Sequence, residues 1–186
     1  MLALLLLDVE ELNKELDEGD FEGFDEEFLL FGGSGIVGAR GGSRFGGYGV
    51  GGTTSTHGSN GERAILTVNY GGLLYEHAIY AEGNTDITLG GVFGGGSANL
   101  DLIHSDPAGF DTENAHSTSY KKEFIMLEPK ITLHQQLGAF VGLNASLGYL
   151  GTYDFGTNWD FFGKSYSGPL GNFHGPTLSI RLSFGF

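Results

Sequence analysis

The last ten residues constrain the fold more than any other segment, because they alternate without interruption. Leu178, Ile180, Leu182, Phe184 and Phe186 fall on one face of an extended strand. The other face holds Thr, Ser, Gly and one Arg, with no Lys or Glu. A sheet surface that faces water usually carries more long charged side chains, whereas the lumen of a small barrel favours small ones. The segment therefore predicts a strand with a lipid-facing or core-facing apolar side and a lumenal polar side.

Composition points to a β-rich globular protein. The 186 residues include 34 Gly, aromatic residues make up 13% and charged residues 17%, which is below the usual quarter. Disordered chains are poor in aromatic residues and rich in charge, so this class is excluded. Cysteine is absent, which excludes disulfides, thiolate metal ligands and a cysteine nucleophile.

The net charge of −14 is concentrated at one end of the chain. Residues 1–27 contain eleven acidic residues and one Lys, and the remainder contains twelve acidic and eight basic residues. No basic segment is available to neutralise phosphates, so we expect no nucleic-acid partner. The acidic segment is interpreted as a solvated appendage.

The N-terminal segment has apolar residues at helical spacing. Residues 2–18 predict an amphipathic helix whose stripe would dock through Leu5, Leu6, Val9 and Leu12. The helix would plug a barrel mouth, cap an open sheet or pair with another subunit. We therefore divide the chain into an acidic helix and linker (1–27) and a β-domain (28–186). The run from Met1 to Leu7 is too short to span a membrane as a helix, and it has neither the basic region nor the cleavage site of a recognisable signal peptide.

From Phe28 onward the pattern has the period of β-strands. Six strands are clear and eight fit the length, with no helix between them, so consecutive strands should pair antiparallel. The predicted fold is an all-β, antiparallel up-and-down barrel of about eight strands, and the alternative is an open curved sheet or a sandwich. Gly71-Gly72 predicts a bulge, and Pro129 predicts an edge strand or a bulge because it lacks a backbone donor.

Three charged residues lie on strand faces that otherwise carry small or polar groups. Glu128, Lys130 and Arg181 would form a lumenal ion-pair network in a barrel, since charges removed from water must be paired. In a soluble sandwich the same residues would be exposed and nearly independent of each other.

Motifs for chemistry are weak, and we predict no catalytic, cofactor-binding or metal-binding residues. The glycines from Gly32 to Gly38 lack the context of a phosphate loop. The six histidines lack the spacing of a local metal site. His104-Ser105-Asp106 and His116-Ser117 contain the residue types of a hydrolase, and Asp106, Asp111 and Glu113 those of a calcium site. Both groups lie among turn formers, which favours a solvated loop over either function.

Several strings resemble known families. The terminal strand is similar to the C-terminal strand of outer-membrane β-barrels, which ends in an aromatic residue. Residues 69–76, 124–130, 167–169 and 175–176 resemble a family of Gly-rich, β-rich prokaryotic proteins of unassigned function. That resemblance covers residues 28–186 and implies an antiparallel barrel-like fold without implying an activity.

These observations support three functional hypotheses. The first is a non-enzymatic β-barrel of outer-membrane type with a structural or membrane-associated role, which would contact membrane lipid and lie in the outer membrane or cell envelope. The second is a soluble, self-associating structural subunit, which would be a homo-oligomer. The third is a barrel that binds or modifies a lipid or small ligand.

Overall fold

The computed structural model describes residues 1–18, 21–58, 62–104, 116–154, 158–161, 164–167 and 172–184. One short helix and ten strands make up these segments. In chain order they are β1 (Leu2–Leu6), α1 (Glu10–Glu18), β2 (Glu27–Gly38), β3 (Ser43–His57), β4 (Arg63–Glu82), β5 (Thr85–His104), β6 (His116–Gln136), β7 (Val141–Tyr153), β8 (Asn158–Phe161), β9 (Lys164–Ser167) and β10 (His174–Phe184).

Eight of the strands close into an antiparallel barrel. Strands β1 to β7 follow one another around the wall, and β10 completes it between β7 and β1. The remaining strands, β8 and β9, form a hairpin that pairs with β6 at Lys121. The predicted eight-stranded barrel is therefore confirmed, and the open-sheet alternative is not adopted.

The two ends of the barrel differ in their connections. Three short turns, at residues 39–42, 83–84 and 137–140, lie at one end. Gly41 and Gly83 have φ of +69° and +54°, a left-handed conformation that glycine adopts without steric cost. The longer connections lie at the opposite end, together with the β8–β9 hairpin. We call the part of the barrel nearer the short turns the turn half, and the other part the loop half.

The predicted helix over residues 2–18 is wrong in its first half. Leu2–Leu6 forms β1, which pairs with β2 on one side and β10 on the other, so the barrel sheet continues across the predicted boundary at residue 28. An unbroken apolar run satisfies a helical stripe, but it equally suits a strand whose two faces are both apolar. Leu5 consequently points inward, whereas Leu6 points outward.

The segment after β1 folds over the mouth of the loop half. Its helical part, among the residues described, is Glu10–Glu18. Asn13 ties the helix to the chain that follows, because its side-chain amide donates to the Phe24 carbonyl at 2.9 Å and its oxygen accepts from the Phe24 N–H at 2.8 Å. The side chains that this segment buries are Leu7, Val9, Leu12, Leu16, Phe21 and Phe24.

Two expected irregularities are absent from their predicted positions. The register of β4 continues unchanged through Gly71-Gly72, and a shift occurs instead between Ala78 and Tyr80. The prediction failed because Leu73 points outward and Leu74 inward, so both faces are apolar and the alternation is hidden. Pro129 lies within a wall strand that is paired on both sides, and the β6–β7 ladder keeps its register across it.

The polarity of the inward and outward side chains reverses from one half of the barrel to the other. In the loop half of β4 to β6, Leu66, Leu100 and Phe124 point inward. Outward positions there are mostly polar, as at Thr67, Ser97, Asn99, Lys121 and Glu123. In the turn half many inward positions carry charged and polar groups, alongside the apolar Leu74 and Val92, and the outward positions are mostly apolar. This reversal places a polar cluster inside one half of the barrel.

Candidate functional site

The inward positions of five neighbouring strands build a buried polar cluster in the turn half, which we call the polar lumen. Alternation places these side chains there, because every second residue of a strand shares one face. The buried members are Glu76 of β4, Asp86 and Thr88 of β5, Glu128, Lys130 and Thr132 of β6, Asn144 and Ser146 of β7, and Thr177 and Ser179 of β10.

Glu128 and Lys130 form the centre of the cluster. Their side chains are 2% and 3% exposed, and Lys130 Nζ lies 3.8 Å from Glu128 Oε1. The Thr177 hydroxyl donates to the same carboxylate oxygen at 2.8 Å. Lys130 Nζ also lies 4.4 Å from the centroid of the Tyr48 ring, which adds a cation–π contact. Both charges therefore have partners, as removal from water requires.

A second group of polar side chains surrounds Glu76. His134 Nε2 lies 3.2 Å from one of its carboxylate oxygens, and the Thr132 hydroxyl donates to the other at 3.2 Å. His134 Nδ1 and the Asn144 side-chain oxygen are 2.7 Å apart, while Thr132 and Ser146 share a hydrogen bond at 3.0 Å. Three strands are thus cross-linked by side chains within the lumen.

At the turn end of the polar lumen, two arginines bind the carboxylate of Asp86. Arg40 Nε donates to Asp86 Oδ1 at 2.8 Å, and Arg44 bonds the second carboxylate oxygen. Arg40 comes from a turn and is 42% exposed, whereas Asp86 is 3% exposed. Arginine suits this position because its planar fork matches carboxylate geometry.

Arg181, the third residue of the predicted lumenal network, interacts electrostatically with Lys130 and with Glu76 inside the lumen. It points inward from β10, and its guanidinium donates to the Ser34 hydroxyl of β2. Arg181 therefore links the wall strands on the two sides of β1 and also adds a positive charge to the polar lumen.

The loop half of the interior is filled mainly by apolar side chains. Leu5, Phe28, Leu30 and Leu150 are at most 1% exposed, and Phe124 packs edge-to-face on Phe173 with ring centroids 4.8 Å apart. One buried ion pair is embedded near this core, between Lys122 Nζ and Asp154 at 2.5 Å. Of the predicted helix-docking residues, Leu5, Val9 and Leu12 are buried here, and Leu6 lies outside on the barrel wall.

Strand β10, the C-terminal strand, directs its apolar residues outward. Leu178, Ile180, Leu182 and Phe184 are all at least half exposed, from 50% at Leu178 to 78% at Phe184. Phe186 lies outside the described residues. Leucine, isoleucine and aromatic side chains of β4 to β7 are likewise exposed in the turn half, and together they form an apolar belt around the polar lumen.

Among the residues described, polar side chains that bond to each other on the outer surface lie at the edges of the apolar belt or beyond it. In the loop half, Lys121 Nζ donates to Glu123 Oε1 at 2.7 Å, and this hydrogen bond lowers the pKa of Glu123. Aromatic side chains lie toward the limits of the belt, with Phe45, Phe140 and Phe184 on the turn side and Tyr149 and Tyr153 on the other.

Sequence reasoning missed most of the polar lumen. Glu76, Asp86 and Asn144 each occupy an inward position. The period-two alternation along their strands is the sequence pattern that indicates this orientation. It was overlooked because the pattern in β4 and β5 is interrupted by glycines that have no side chain to reveal a face. The hydrolase-like and calcium-like groups cannot be placed, since Ser105, Asp106, Asp111 and Glu113 and the side chains of His104 and His116 lie outside the described residues.

Comparisons with family models, curated proteins and solved structures found no match to this chain. Within the described ranges, no group of three or more His, Cys, Asp or Glu side chains is placed to hold a metal ion. The same ranges contain no helix that is long and apolar enough to cross a membrane.

Proposed function

We propose that this protein is a membrane-spanning β-barrel with a structural, non-enzymatic role, embedded by its turn half. One observation carries the proposal: in that half, paired charges are buried inside and large apolar side chains are exposed outside. Outer-membrane-type barrels have the same radial order, with an apolar outer band and a polar interior. In water the same wall would expose a contiguous apolar surface, which monomeric soluble proteins rarely do.

The height of the belt supports this proposal. On β6 the outward apolar residues run from Ile125 to Leu133, and on β10 from Pro176 to Phe184, nine residues in each case. A tilted transmembrane strand needs about nine to eleven residues to cross the hydrocarbon core. Aromatic side chains near both limits of the belt match the girdles that such barrels place at the membrane interfaces.

The closed interior favours a structural role over conduction. The loop half is packed with apolar side chains and covered by residues 7–18 and 21–24, so a barrel of this kind acts through its wall and its ends rather than through a channel. The most direct localisation for such a barrel is an outer membrane or comparable envelope membrane, because closed barrels leave no unpaired sheet edge in lipid.

The alternative is a soluble subunit whose apolar belt is covered by other copies. The same exposed belt favours it, and the two proposals differ in what touches Leu182. Because the chain has no cysteine, Leu182→Cys can carry a single polarity-sensitive fluorophore, with Asn69→Cys as the matched control at an outward position of the loop half.

We expect the fluorophore at residue 182 to be quenched by quencher-bearing lipids after reconstitution into vesicles. The one at residue 69 should respond only to an aqueous quencher. A protein that folds in detergent-free buffer, with no lipid quenching at residue 182 and a mass several times that of the chain, would favour the soluble assembly instead.

A further inference from the structure

A shallow groove crosses the outer wall where the apolar belt meets the polar outer surface of the loop half, and we call it the boundary groove. Gly49, Gly71 and Gly95 lie directly opposite one another on β3, β4 and β5 and form its floor. All three line a cavity of about 610 Å³. They face outward, because their chain neighbours Tyr48 and Tyr70 are buried inside the barrel.

The two walls of the boundary groove differ in polarity. Toward the loop end, the adjoining cross-strand row contains Asn69, Ser97 and Glu123. Toward the turn end, the adjoining row contains Leu73 and Phe93, whose side chains are 76% and 60% exposed. An occupant of the groove must therefore be polar along one side and apolar along the other.

The polar wall presents charges of both signs. Lys121 Nζ donates to Glu123 Oε1 at 2.7 Å, the two side chains are 55% and 75% exposed, and both residues line the cavity. An ion pair this exposed contributes little to stability, so its partners can exchange their mutual bond for bonds to a ligand. The side chain of Ser97, opposite Glu123 on the neighbouring strand, adds a hydroxyl to the same wall.

This pair of charges is complementary to a ligand that also carries one charge of each sign. The anion of such a ligand would meet the ammonium of Lys121, and its cation would meet the carboxylate of Glu123. A ligand with negative charge alone would be repelled by Glu123. A primary ammonium suits the carboxylate better than a quaternary one, because only the primary ammonium donates charge-assisted hydrogen bonds.

We propose that the boundary groove binds a zwitterionic phospholipid with a phosphoethanolamine headgroup. The phosphate accepts hydrogen bonds from Lys121, the ammonium donates to Glu123, and the acyl chains extend over Leu73 and Phe93 into the belt. The glycine floor lets the ligand approach the backbone closely. This inference rests on the proposed membrane-spanning function, because the belt must lie in lipid for a phospholipid to reach the groove.

Native mass spectrometry of the full chain, released from detergent micelles, counts the phospholipids that stay bound. The probes are phosphatidylethanolamine and phosphatidylglycerol with identical acyl chains, added at equal concentrations. We expect the parent protein to retain one phosphatidylethanolamine, and about five-fold less phosphatidylglycerol. Free phosphoethanolamine at the same concentration should leave the lipid bound, since it has no acyl chains to contact the apolar wall.

Two glycine variants test the position of the lipid. Gly49→Phe fills the boundary groove with a side chain, and a Cβ at this position meets nothing within 4 Å, so the fold should tolerate it. Gly47→Phe is the matched control, because it lies two positions closer to the turns on the same strand and is equally open. We expect retention of phosphatidylethanolamine to fall about five-fold in Gly49→Phe and to stay unchanged in Gly47→Phe.

A charge variant tests the recognition of the headgroup. Glu123→Lys gives the polar wall two cations, and it should reverse the preference from phosphatidylethanolamine to phosphatidylglycerol. Equal retention of the two lipids by the parent protein, equal losses in both glycine variants, an unchanged preference in Glu123→Lys, or displacement by free phosphoethanolamine would each overturn the proposal. A mass of two chains in place of the lipid adduct would also overturn it, by assigning the groove to a second copy.

The fluorophore at residue 182 separates this proposal from the membrane-spanning function on which it rests. Quenching at residue 182 by lipid, without a selective phosphatidylethanolamine adduct, would refute the lipid site and leave the membrane-spanning barrel standing. A lack of lipid quenching at residue 182 would refute the membrane-spanning barrel and the lipid site with it.

Discussion

The two halves of this barrel differ in whether polar or apolar side chains face inward. In the loop half of β4 to β6, Leu66 and Leu100 are buried and Thr67 and Asn99 face outward, as in a water-soluble protein. In the turn half of the same strands, Glu76 and Lys130 are buried and Leu73 and Ile131 are exposed. Along a single set of strands, the polarity of the outer surface therefore changes at the level where the polarity of the interior changes.

The difference teaches that each half is stabilised in its own way. Apolar burial stabilises the loop half by about 25 cal/mol for each Å² removed from water. The turn half gains little from burial of its polar groups, and its order depends on the pairing of its buried charges, because an unpaired buried charge costs more than a pair contributes. Substitutions should consequently have effects that depend on the half in which they lie.

The largest effect should follow from breaking the central ion pair of the polar lumen. Lys130→Met leaves Glu128 buried without its cation, and we expect the free energy of unfolding to fall by about 3–5 kcal/mol. Guanidinium unfolding of the barrel after reconstitution into vesicles, followed by far-UV circular dichroism, measures the change. Lys121→Met on the same strand is the control, since Lys121 and Glu123 are both exposed and little change is expected. Similar losses in both variants would show that the buried pair has no special importance.

The next effect tests the apolar core of the loop half. Leu66 is fully buried, so Leu66→Ala creates a cavity and should lower the free energy of unfolding by about 2–5 kcal/mol. Leu73→Ala, on the same strand but 76% exposed, should cost much less because no cavity forms. The same unfolding assay compares them, and a larger loss at residue 73 would contradict the assigned orientation of β4.

A third pair of substitutions compares the outer surfaces of the two halves. Ile180→Arg places a charge in the apolar belt, and in a bilayer it should destabilise by about 2–4 kcal/mol near the midplane. Thr67→Arg, outward in the loop half, should change stability by less than about 0.5 kcal/mol, as is usual for surface sites. Equal small effects in vesicles would mean that the belt does not lie in lipid.

The strand pattern predicted the barrel because alternation is readable along β10 and along the turn half of β6, where each face has one character. The same rule placed Glu128, Lys130 and Arg181 on faces with small residues, and the structure directs all three inward. The rule failed at residues 2–6, where both faces of the segment are apolar, so that a strand and a helical stripe have the same sequence signature.

Other features of the polar lumen depend on contacts that local sequence does not contain. Arg40 and Arg44 meet Asp86 from more than forty positions away, and this distance along the chain is closed only by the barrel. The register shift between Ala78 and Tyr80 likewise is not marked by a glycine in the sequence. Predicting these contacts requires the strand register, which the alternation of individual strands does not define.

Among the changes to the interior, the smallest effect should come from removing both members of the central pair together. Glu128→Gln with Lys130→Met deletes two charges at once, and the Gln side-chain oxygen can still accept the hydrogen bond from Thr177. Buried ion pairs are often replaced by uncharged groups without loss, so the double variant should lie within about 1 kcal/mol of the parent protein. The unfolding assay used for Lys130→Met measures it. If the double variant is as unstable as Lys130→Met alone, the turn half requires the charges themselves, and the argument that pairing rather than charge stabilises it is wrong.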